Sequence, residues 1–338
     1  MQRCLDLAVL GKGYTAPNPM VGSLIYDEGK IVAEGYHLRY GSDHAERACL
    51  KRLSHTLSKD ATLFVNMEPC NHHGKTPPCT DTIISSGIKK VVIGQQDPNP
   101  KVSGTGIERL KLCGIEVEMN VLENKCRELN KHFNKFHEDK RPYITLKWAQ
   151  SSDGYMGLEN KNIRISNDES TYLTHSWRAE EQSILIGSKT MNIDNPKLDV
   201  RRLKGRNPIP IILSPEGNVI STHYLLQNES TLVLSHHINP NLTAQQIKLD
   251  PEKEVLHQVL QILYAKNINS VFVEGGSITL HKFIEASLWD EAKVIIADAK
   301  LQQGIVAPTL KEKAYHQESI GSNRVHYYKN RNGAISSA

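Results

Sequence analysis

Aromatic residues are scarce in this chain: Phe, Tyr and Trp together make up 6% of its 338 residues. A protein that grips flipped or single-stranded bases needs stacking platforms along a positive groove. The chain offers neither, since its lysines and arginines form no block and its formal net charge is only +4. That balance argues against nucleic acid as the main partner and suits a small anionic substrate. No apolar run approaches the ~20 residues of a membrane-spanning helix, so no membrane partner is expected. The chain starts with no signal peptide, and its six cysteines are irregularly spaced. Reduced thiols in a cytoplasmic protein are therefore expected, not a disulfide framework. No Gly-x-Gly-x-x-Gly follows a strand-like stretch, which excludes a Rossmann domain of the usual kind. Internal repeats and low-complexity tracts are absent too. What is present, 39% hydrophobic and 23% charged residues, is ordinary for globular protein, and the length predicts two domains.

In the first half, residues 5–10 read as a short helix stopped by Gly11. Residues 21–26 and 30–35 flank Asp27-Glu28-Gly29 as a β-hairpin. Ala16-Pro17-Asn18-Pro19 leads into it, its prolines holding an extended approach that presents Asn18. A helix begins at His44, with Ser42 or Asp43 as its cap, and the strand at 61–67 delivers Cys70. Helix 79–86, strand 91–94, helix 107–113 and strand 115–121 follow. A hairpin followed by β-α-β-α-β predicts a three-layer α/β/α sandwich. Residues 123–140 read as one amphipathic helix carrying Cys126, Leu129, Phe133 and Phe136. It closes a domain of residues 1–140, with the boundary at Arg141-Pro142.

The chemistry of this half lies in His44-Ala45-Glu46, Pro69-Cys70 and Cys79. One imidazole and two thiolates make a three-ligand zinc site whose open fourth position takes water, with the water pKa lowered to about 7. Glu46, two residues past the His ligand, is expected beside that water, shuttling its proton to a leaving amine. This is the His-x-Glu…Pro-Cys-x-x-Cys pattern of zinc nucleobase deaminases, except that eight residues separate the cysteines. A closed structural zinc is the alternative, with His72 or His73 as fourth ligand. Two helix N-termini, at His44 and Cys79, are expected to face one cleft and favour anions.

Asn18-Pro19-Met20-Val21-Gly22, Gly35-Tyr36-His37, His44-Ala45-Glu46, Glu68-Pro69-Cys70, His72-His73-Gly74-Lys75-Thr76-Pro77-Pro78-Cys79 and Gln96-Asp97-Pro98-Asn99-Pro100 occur in that order. The set resembles the bifunctional deaminase–reductases of riboflavin biosynthesis, in which the eight-residue cysteine spacing is the rule. The resemblance implies a cytidine-deaminase-like domain with one Zn2+ on His44, Cys70 and Cys79, and Glu46 as its catalytic residue. It also implies Asn18, His37, His72 and Lys75 at the substrate. His72, His73 and Lys75 are donors that suit a ribose phosphate.

The second half alternates again, with strands at 143–148, 183–186, 209–213, 231–234, 270–273 and 293–296. Ser166-Asn167-Asp168-Glu169 reads as a capping box opening a helix through Trp177, and 254–266 as a further amphipathic helix. This predicts a second α/β domain over 141–331, followed by a small, polar, disordered tail at 332–338. Val273-Glu274-Gly275-Gly276-Ser277 joins a buried strand to a helix, where free N–H groups can approach a pyrophosphate. Turn chemistry alone also explains such a glycine pair.

Arg141-Pro142-Tyr143, Leu146-Lys147, Ser152-Asp153-Gly154, Gly187, Thr190, Asp194-Asn195-Pro196, Leu198, Arg201 and Glu274-Gly275-Gly276 follow in order. They resemble the reductase half of the same family, which is dihydrofolate-reductase-like and uses NADPH. The resemblance implies Gln150, Thr190, Gly276, Ser277, Ile278, Thr279, Leu280, His281 and Lys282 at the cofactor. Asp194 is implied between cofactor and substrate, as a catalytic residue. Lys147, Ser166, Arg178, Leu198, Arg201 and Glu274 are implied at the substrate, the arginines being suited to a phosphate. Two departures stand out: Arg164-Ile165-Ser166-Asn167 where the family usually has Trp-Ile-Thr-Ser, and Ser214-Pro215 where a serine often follows an aspartate. The implied activity is deamination of a diaminopyrimidinone ribotide, then NADPH-dependent reduction of its ribosyl group, in a homo-oligomer. The alternatives are a deaminase with a weakened reductase half, a nucleic-acid deaminase, and a non-catalytic zinc scaffold.

Overall fold

Alternating side chains determine the first sheet. Ile25, Leu63, Val65, Val91 and Ile93 are all fully buried and share one cluster with Cys49, Ile83 and Leu110 from three helices. The computed structural model describes residues 1–72, 77–159, 161 and 163–330. The chain divides into two compact units, Met1–Lys140 and Arg141 onward. The expected disordered tail, 332–338, lies outside the described residues.

The first unit runs α1 (Gln2–Val9), β1 (Gly22–Asp27), β2 (Lys30–Tyr36), α2 (Ala45–Leu50), β3 (Thr62–Val65), α3 (Cys79–Ser85), β4 (Lys90–Ile93), α4 (Thr105–Leu112), β5 (Glu116–Glu118), α5 (Glu123–Leu129) and α6 (Lys131–Glu138). Its sheet has the order β2-β1-β3-β4-β5, with β1 antiparallel to both neighbours and β3, β4 and β5 parallel. The hairpin and the β-α-β-α-β run thus take their expected places. The single helix expected over 123–140 is instead two, broken at Asn130. There the Asn130 amide clasps the Met20 peptide, accepting from its N–H at 2.8 Å and donating to its C=O at 3.0 Å. Asparagine that satisfies a distant backbone in this way competes with the helix it sits in.

The second unit runs β6 (Tyr143–Gln150), β7 (Tyr155–Gly157), α7 (Asp168–Glu180), β8 (Ser183–Gly187), α8 (Ser188–Asp194), β9 (Ile209–Leu213), β10 (Leu232–Ser235), β11 (Gln245–Lys248), α9 (Val255–Ala265), β12 (Ser270–Gly275), α10 (Ser277–Glu285), β13 (Glu291–Ile296), β14 (Ile305–Val306), β15 (His316–Ile320) and β16 (Asn323–Lys329). Nine of these strands form one sheet in the order β11-β10-β9-β8-β12-β6-β13-β16-β15, parallel from β11 to β13. Its parallel strands are near-continuous apolar runs because both faces are covered. Leu185, Ile211, Leu234 and Val271 pack with α9 and α10, while Ile184, Ile212, Val233 and Phe272 pack with Trp177 and Met191. The helix over 168–180 is capped by Asn167, not by the expected Ser166. Asn167 Oδ1 accepts from Ser170 N at 2.8 Å while its amide donates to Ile320 O at 2.9 Å, a double duty that serine cannot fill.

Arg141 and Asp290 pair across the start of this sheet, with Nη1–Oδ2 at 2.7 Å and Nη2–Oδ1 at 2.8 Å. Their side chains are 3% and 6% exposed, and Asp290 also accepts from Ile144 N. Removing one member of such a pair strands a buried charge. Asp290→Ala should therefore destabilise the second unit by about 3–5 kcal/mol. Denaturant unfolding followed by tryptophan fluorescence reads this unit alone, because Trp148, Trp177 and Trp289 all lie in it.

Candidate active sites

Both elements that carry the deaminase-like motif begin at their ligand residue. His44 occupies the N-cap of α2 in extended conformation, and Cys79 opens α3 behind Pro78. The expected caps are occupied elsewhere: the Asp43 carboxylate accepts from Lys51 Nζ at 2.6 Å, and Ser42 Oγ donates back to Arg39 O. Cys70 follows β3 and takes the Cys79 backbone N–H on its sulfur at 3.4 Å. His44 Nδ1 lies 3.5 Å from Cys70 Sγ and 3.3 Å from Cys79 Sγ. The three donor atoms all fall within 4.8 Å of one another, and among the described residues no fourth His, Cys, Asp or Glu joins them. One nitrogen and two sulfurs in this cluster fit zinc with an open position. His72 is exposed and not part of the set, while His73 and Lys75 lie outside the described residues.

Hydrogen bonding to the Cys79 thiol pulls the Cys70 thiol down to about 4 against its burial, with His44 and the Cys79 N–H adding to the effect. The Cys79 thiol moves upward because it holds the shared proton and is buried. Glu46 is 3% exposed; burial, then the Cys70 charge, push its carboxyl up to about 7. His37 completes this pocket, with its ring 5.5 Å from that of His44 and edge-on to it. The Asp43 carbonyl fixes its proton on Nδ1, leaving Nε2 to accept from Asn18 Nδ2 at 3.2 Å. Burial holds the His37 imidazole below its ordinary pKa, in keeping with a neutral ring. Asn18, His37, His44, Glu46, Cys70 and Cys79 thus come together.

In the second unit a cavity of about 490 Å³ is lined by Arg178, Ile186, Thr190, Asp194, Asn195, Pro196, Lys197, Leu198, Arg201 and Glu274. It opens where β8 and β12 end side by side, the usual ligand position of a parallel sheet. The β8–β12 register passes from Val273 opposite Leu185 to Gly275 opposite Ile186, so Glu274 is an extra residue. Such a bulge re-aims its side chain, and Glu274 meets Arg178 in a two-armed pair at 2.6 and 2.8 Å. Arg178 Nη1 donates to Asp199 O at 3.1 Å, so all three guanidinium nitrogens are engaged. Desolvation lowers the pKa of Lys147, with the Glu274 charge opposing. Gly276 N donates to Thr190 Oγ1 at 2.7 Å, joining the start of α10 to the cavity wall. A Cβ on Gly276 would stand 2.8 Å from that oxygen, and one on Gly187 2.6 Å from Thr279 Oγ1. The first-turn amides of α10 thereby reach the sheet edge with little side chain in the way, a cradle that fits a dinucleotide phosphate.

The cavity gathers Arg178, Thr190, Asp194, Leu198, Arg201 and Glu274 from the expected set, but Gln150, Ser166 and Lys147 are not in its lining. Gln150 Oε1 accepts from Trp148 Nε1 at 2.8 Å, and Ser166 is half-buried just ahead of α7. Within 276–282, Leu280 is fully buried in the core, so only its backbone can face a ligand, whereas Ile278 and Lys282 are exposed. His281 Nδ1 meets Ser277 O at 2.8 Å. Arg164, at the first departure, binds Asp168 and Thr171 beside the start of α7. At the second, the Pro215 carbonyl accepts from His236 N at 2.9 Å. Ile186, Asn195, Pro196 and Lys197 line the cavity outside the expected set; of these Lys197 carries charge, is exposed, and has its ammonium 5.9 Å from the Tyr224 ring centre. Its signal was its place between Pro196 and Leu198, inside a motif otherwise read in full.

Burial alone would lift the Glu274 carboxyl, but Arg178 and Lys147 outweigh it and hold it at about 2. A depressed carboxyl contributes stability above its ordinary pKa of 4.5 and loses it as pH falls toward 2. The contribution is about 3 kcal/mol. Denaturant midpoints measured between pH 5 and 2.5 should fall more steeply for the native chain than for Glu274→Gln.

The comparisons agree across both units. Residues 1–95 match the cytidine and deoxycytidylate deaminase zinc-binding region, and residues 142–301 match the RibD C-terminal domain. The riboflavin biosynthesis protein RibD of Aquifex aeolicus is 38% identical, covering 97% of this chain and 97% of that protein. RibD of Escherichia coli is 34% identical, covering 88% and 86%. The crystal structure of the Thermotoga maritima diaminohydroxyphosphoribosylaminopyrimidine deaminase/5-amino-6-(5-phosphoribosylamino)uracil reductase is similar at a TM-score of 0.88 and 33% identity, covering 98% and 97%. Acinetobacter baumannii RibD gives a TM-score of 0.90 at 30% identity, covering 97% of each chain. No helix among the described residues is long and apolar enough to cross a membrane.

Proposed function

Because the chain belongs to the RibD family of riboflavin-biosynthesis deaminase–reductases, we propose that its two sites perform the two reactions in sequence. The first replaces the amine of 2,5-diamino-6-(5-phosphoribosylamino)pyrimidin-4(3H)-one with oxygen from water, releasing ammonia. The second reduces the ribosyl group of the product to ribityl, giving 5-amino-6-(5-phosphoribitylamino)uracil. The convergence of His44, Cys70 and Cys79 with Glu46 beside them is the observation that carries this reading.

Zinc held by His44, Cys70 and Cys79 supplies acidification of a water molecule, to a pKa of about 7. Glu46 takes a proton from the attacking water and passes it to the departing ammonia. Its burial keeps bulk water from competing for that proton. Asn18 and His37, fixed by their mutual bond, orient the pyrimidine against the three donors. The role of His72 and Lys75 in this reading is to bind the substrate phosphate.

NADPH supplies hydride in the second unit. Thr190 and the segment from Gly276 to Lys282, joined by the Gly276–Thr190 bond, would hold it, with Gln150 at the end of β6. Asp194 supplies the accompanying proton, since partial burial lifts its carboxyl. Glu274 fixes Arg178 as part of the wall, and Lys147 sits beside that pair. Leu198 and Ser166 bound the substrate. Arg178 is held by Glu274 and Asp199 as part of the wall, so the phosphate falls to Arg201, which pairs with Asp199 through Nη1 alone, and to Lys197, whose ammonium has no carboxylate within ion-pair reach among the described residues. The reading includes a cytoplasmic homo-oligomer, in keeping with six free cysteines; sedimentation would count its protomers.

Glu46→Ala should abolish ammonia release while one zinc per chain is retained, and NADPH oxidation from the diamino substrate should vanish with it. Equal loss of zinc in that variant would make Glu46 a ligand instead. Lys197→Ala should raise KM for the phosphorylated intermediate about tenfold, the effect of one charge-assisted bond, with kcat nearly unchanged. The same substitution should leave turnover of the dephosphorylated intermediate unaffected.

A further inference from the structure

The residues flanking Cys70 are tied to a helix that bears no metal ligand. Glu68 is 3% exposed, and its carboxylate is satisfied by backbone N–H groups. Oε2 accepts from Asp97 N at 3.2 Å and Gly104 N at 3.0 Å; Oε1 accepts from Gly106 N at 3.0 Å and Ile107 N at 3.4 Å. Gly104 is the N-cap of α4, and Gly106 and Ile107 lie in its first turn. Glu68 therefore caps α4 from the end of another strand, its charge at the positive end of the helix. Gly106 permits this approach, since a Cβ there would stand 2.1 Å from the Pro69 carbonyl oxygen.

On the other side of Cys70, Asn71 Oδ1 accepts from Arg109 Nη1 and from Thr80 Oγ1, both at 3.1 Å. Asn71 Nδ2 donates to Thr105 O at 3.2 Å. Thr80 adjoins Cys79, and a second nitrogen of Arg109 binds Asp81 on the same helix as Cys79. From α4, then, one set of bonds runs to the Cys70 turn and another to the start of α3.

We propose that Glu68, Asn71 and Arg109 are positioning residues for the metal centre, fixing Cys70 against Cys79 from α4. The inference rests on the assignment of His44, Cys70 and Cys79 to zinc. A two-residue spacing sets the distance between cysteines by its own turn. An eight-residue loop closes in many ways at similar entropy, so the distance must be imposed from outside it. Outer residues that orient ligands in this manner are worth about 10–100-fold in metal affinity.

The test compares Glu68→Gln, Asn71→Ala and Arg109→Gln with Arg127→Gln, which removes the exposed Arg127–Glu138 pair of the same unit. Zinc affinity is measured by chelator competition, geometry by the visible spectrum of the cobalt(II)-substituted protein, and fold by the thermal midpoint without metal. Expected are zinc binding weakened about 10–100-fold and an altered cobalt spectrum in the first three variants. The metal-free midpoint of Arg109→Gln should fall no further than that of Arg127→Gln, whereas Glu68→Gln also loses the α4 cap and should fall further. Unchanged affinity and spectrum with a lowered midpoint would reduce these bonds to ordinary structure and overturn the proposal. Should Glu68→Gln not fold, Arg109→Gln decides, as its side chain is 42% exposed. A native chain that takes up neither zinc nor cobalt would instead overturn the zinc assignment itself.

Discussion

Two thiols and an imidazole nitrogen within 4.8 Å of one another, largely out of water, are the constraint on which the first unit depends. Such a group cannot keep its ordinary protonation: one sulfur ionises with the help of its neighbours while the other retains the proton. A divalent cation replaces that proton and relieves the crowding. The architecture brings the donors together by starting two helices at ligand residues, so that backbone N–H dipoles and thiolate charge face each other. The parallel pairing of β3 and β4 delivers Cys70 to the same edge of the sheet. Glu46, two residues on from His44, is buried by the same packing.

The second unit solves a related problem by different means. Its cavity also lies at the carboxyl edge of parallel strands, but the central charges there are an ion pair within the chain. One surplus residue in β12 turns Glu274 out of the ladder and toward Arg178. The pair neutralises itself, and each of the three Arg178 nitrogens already holds a partner within the chain. The exposed mouth of the cavity carries two further cations, Lys197 and Arg201. Rigidity inside and charge outside divide the site into a wall and a grip.

The strands were legible because burial on one or both faces writes itself into alternation or continuity, as in Ile184-Leu185-Ile186 split between two cores. Features set by a single distant bond were not. Asn130 breaks a helix for the sake of the Met20 peptide, more than a hundred residues away. Asn167 displaces Ser166 as a cap because it also reaches Ile320. The hairpin of β15 and β16 carries mostly polar residues on its outer strand, His316-Gln317-Glu318-Ser319, and left no apolar signature. The zinc donors and Glu46 were legible from residue type and order. Glu68 stood in a quoted motif with no role, since nothing in the sequence shows four amides converging on it.

The eight-residue spacing between Cys70 and Cys79 ties these observations together. A loop that must hold two ligands at a fixed distance cannot also be free in sequence, because every turn residue then has a geometric duty. Here Asn71, next after Cys70, and Thr80, next after Cys79, are held to each other, and Asn71 is held to α4 as well. Glu68 secures the approach to the first cysteine. The intervening residues are thereby released from setting the metal geometry. In the sequence His72, His73 and Lys75, side chains suited to an anion, stand between Cys70 and Cys79. Holding the two cysteines from α4 would leave the residues between them open to a second task.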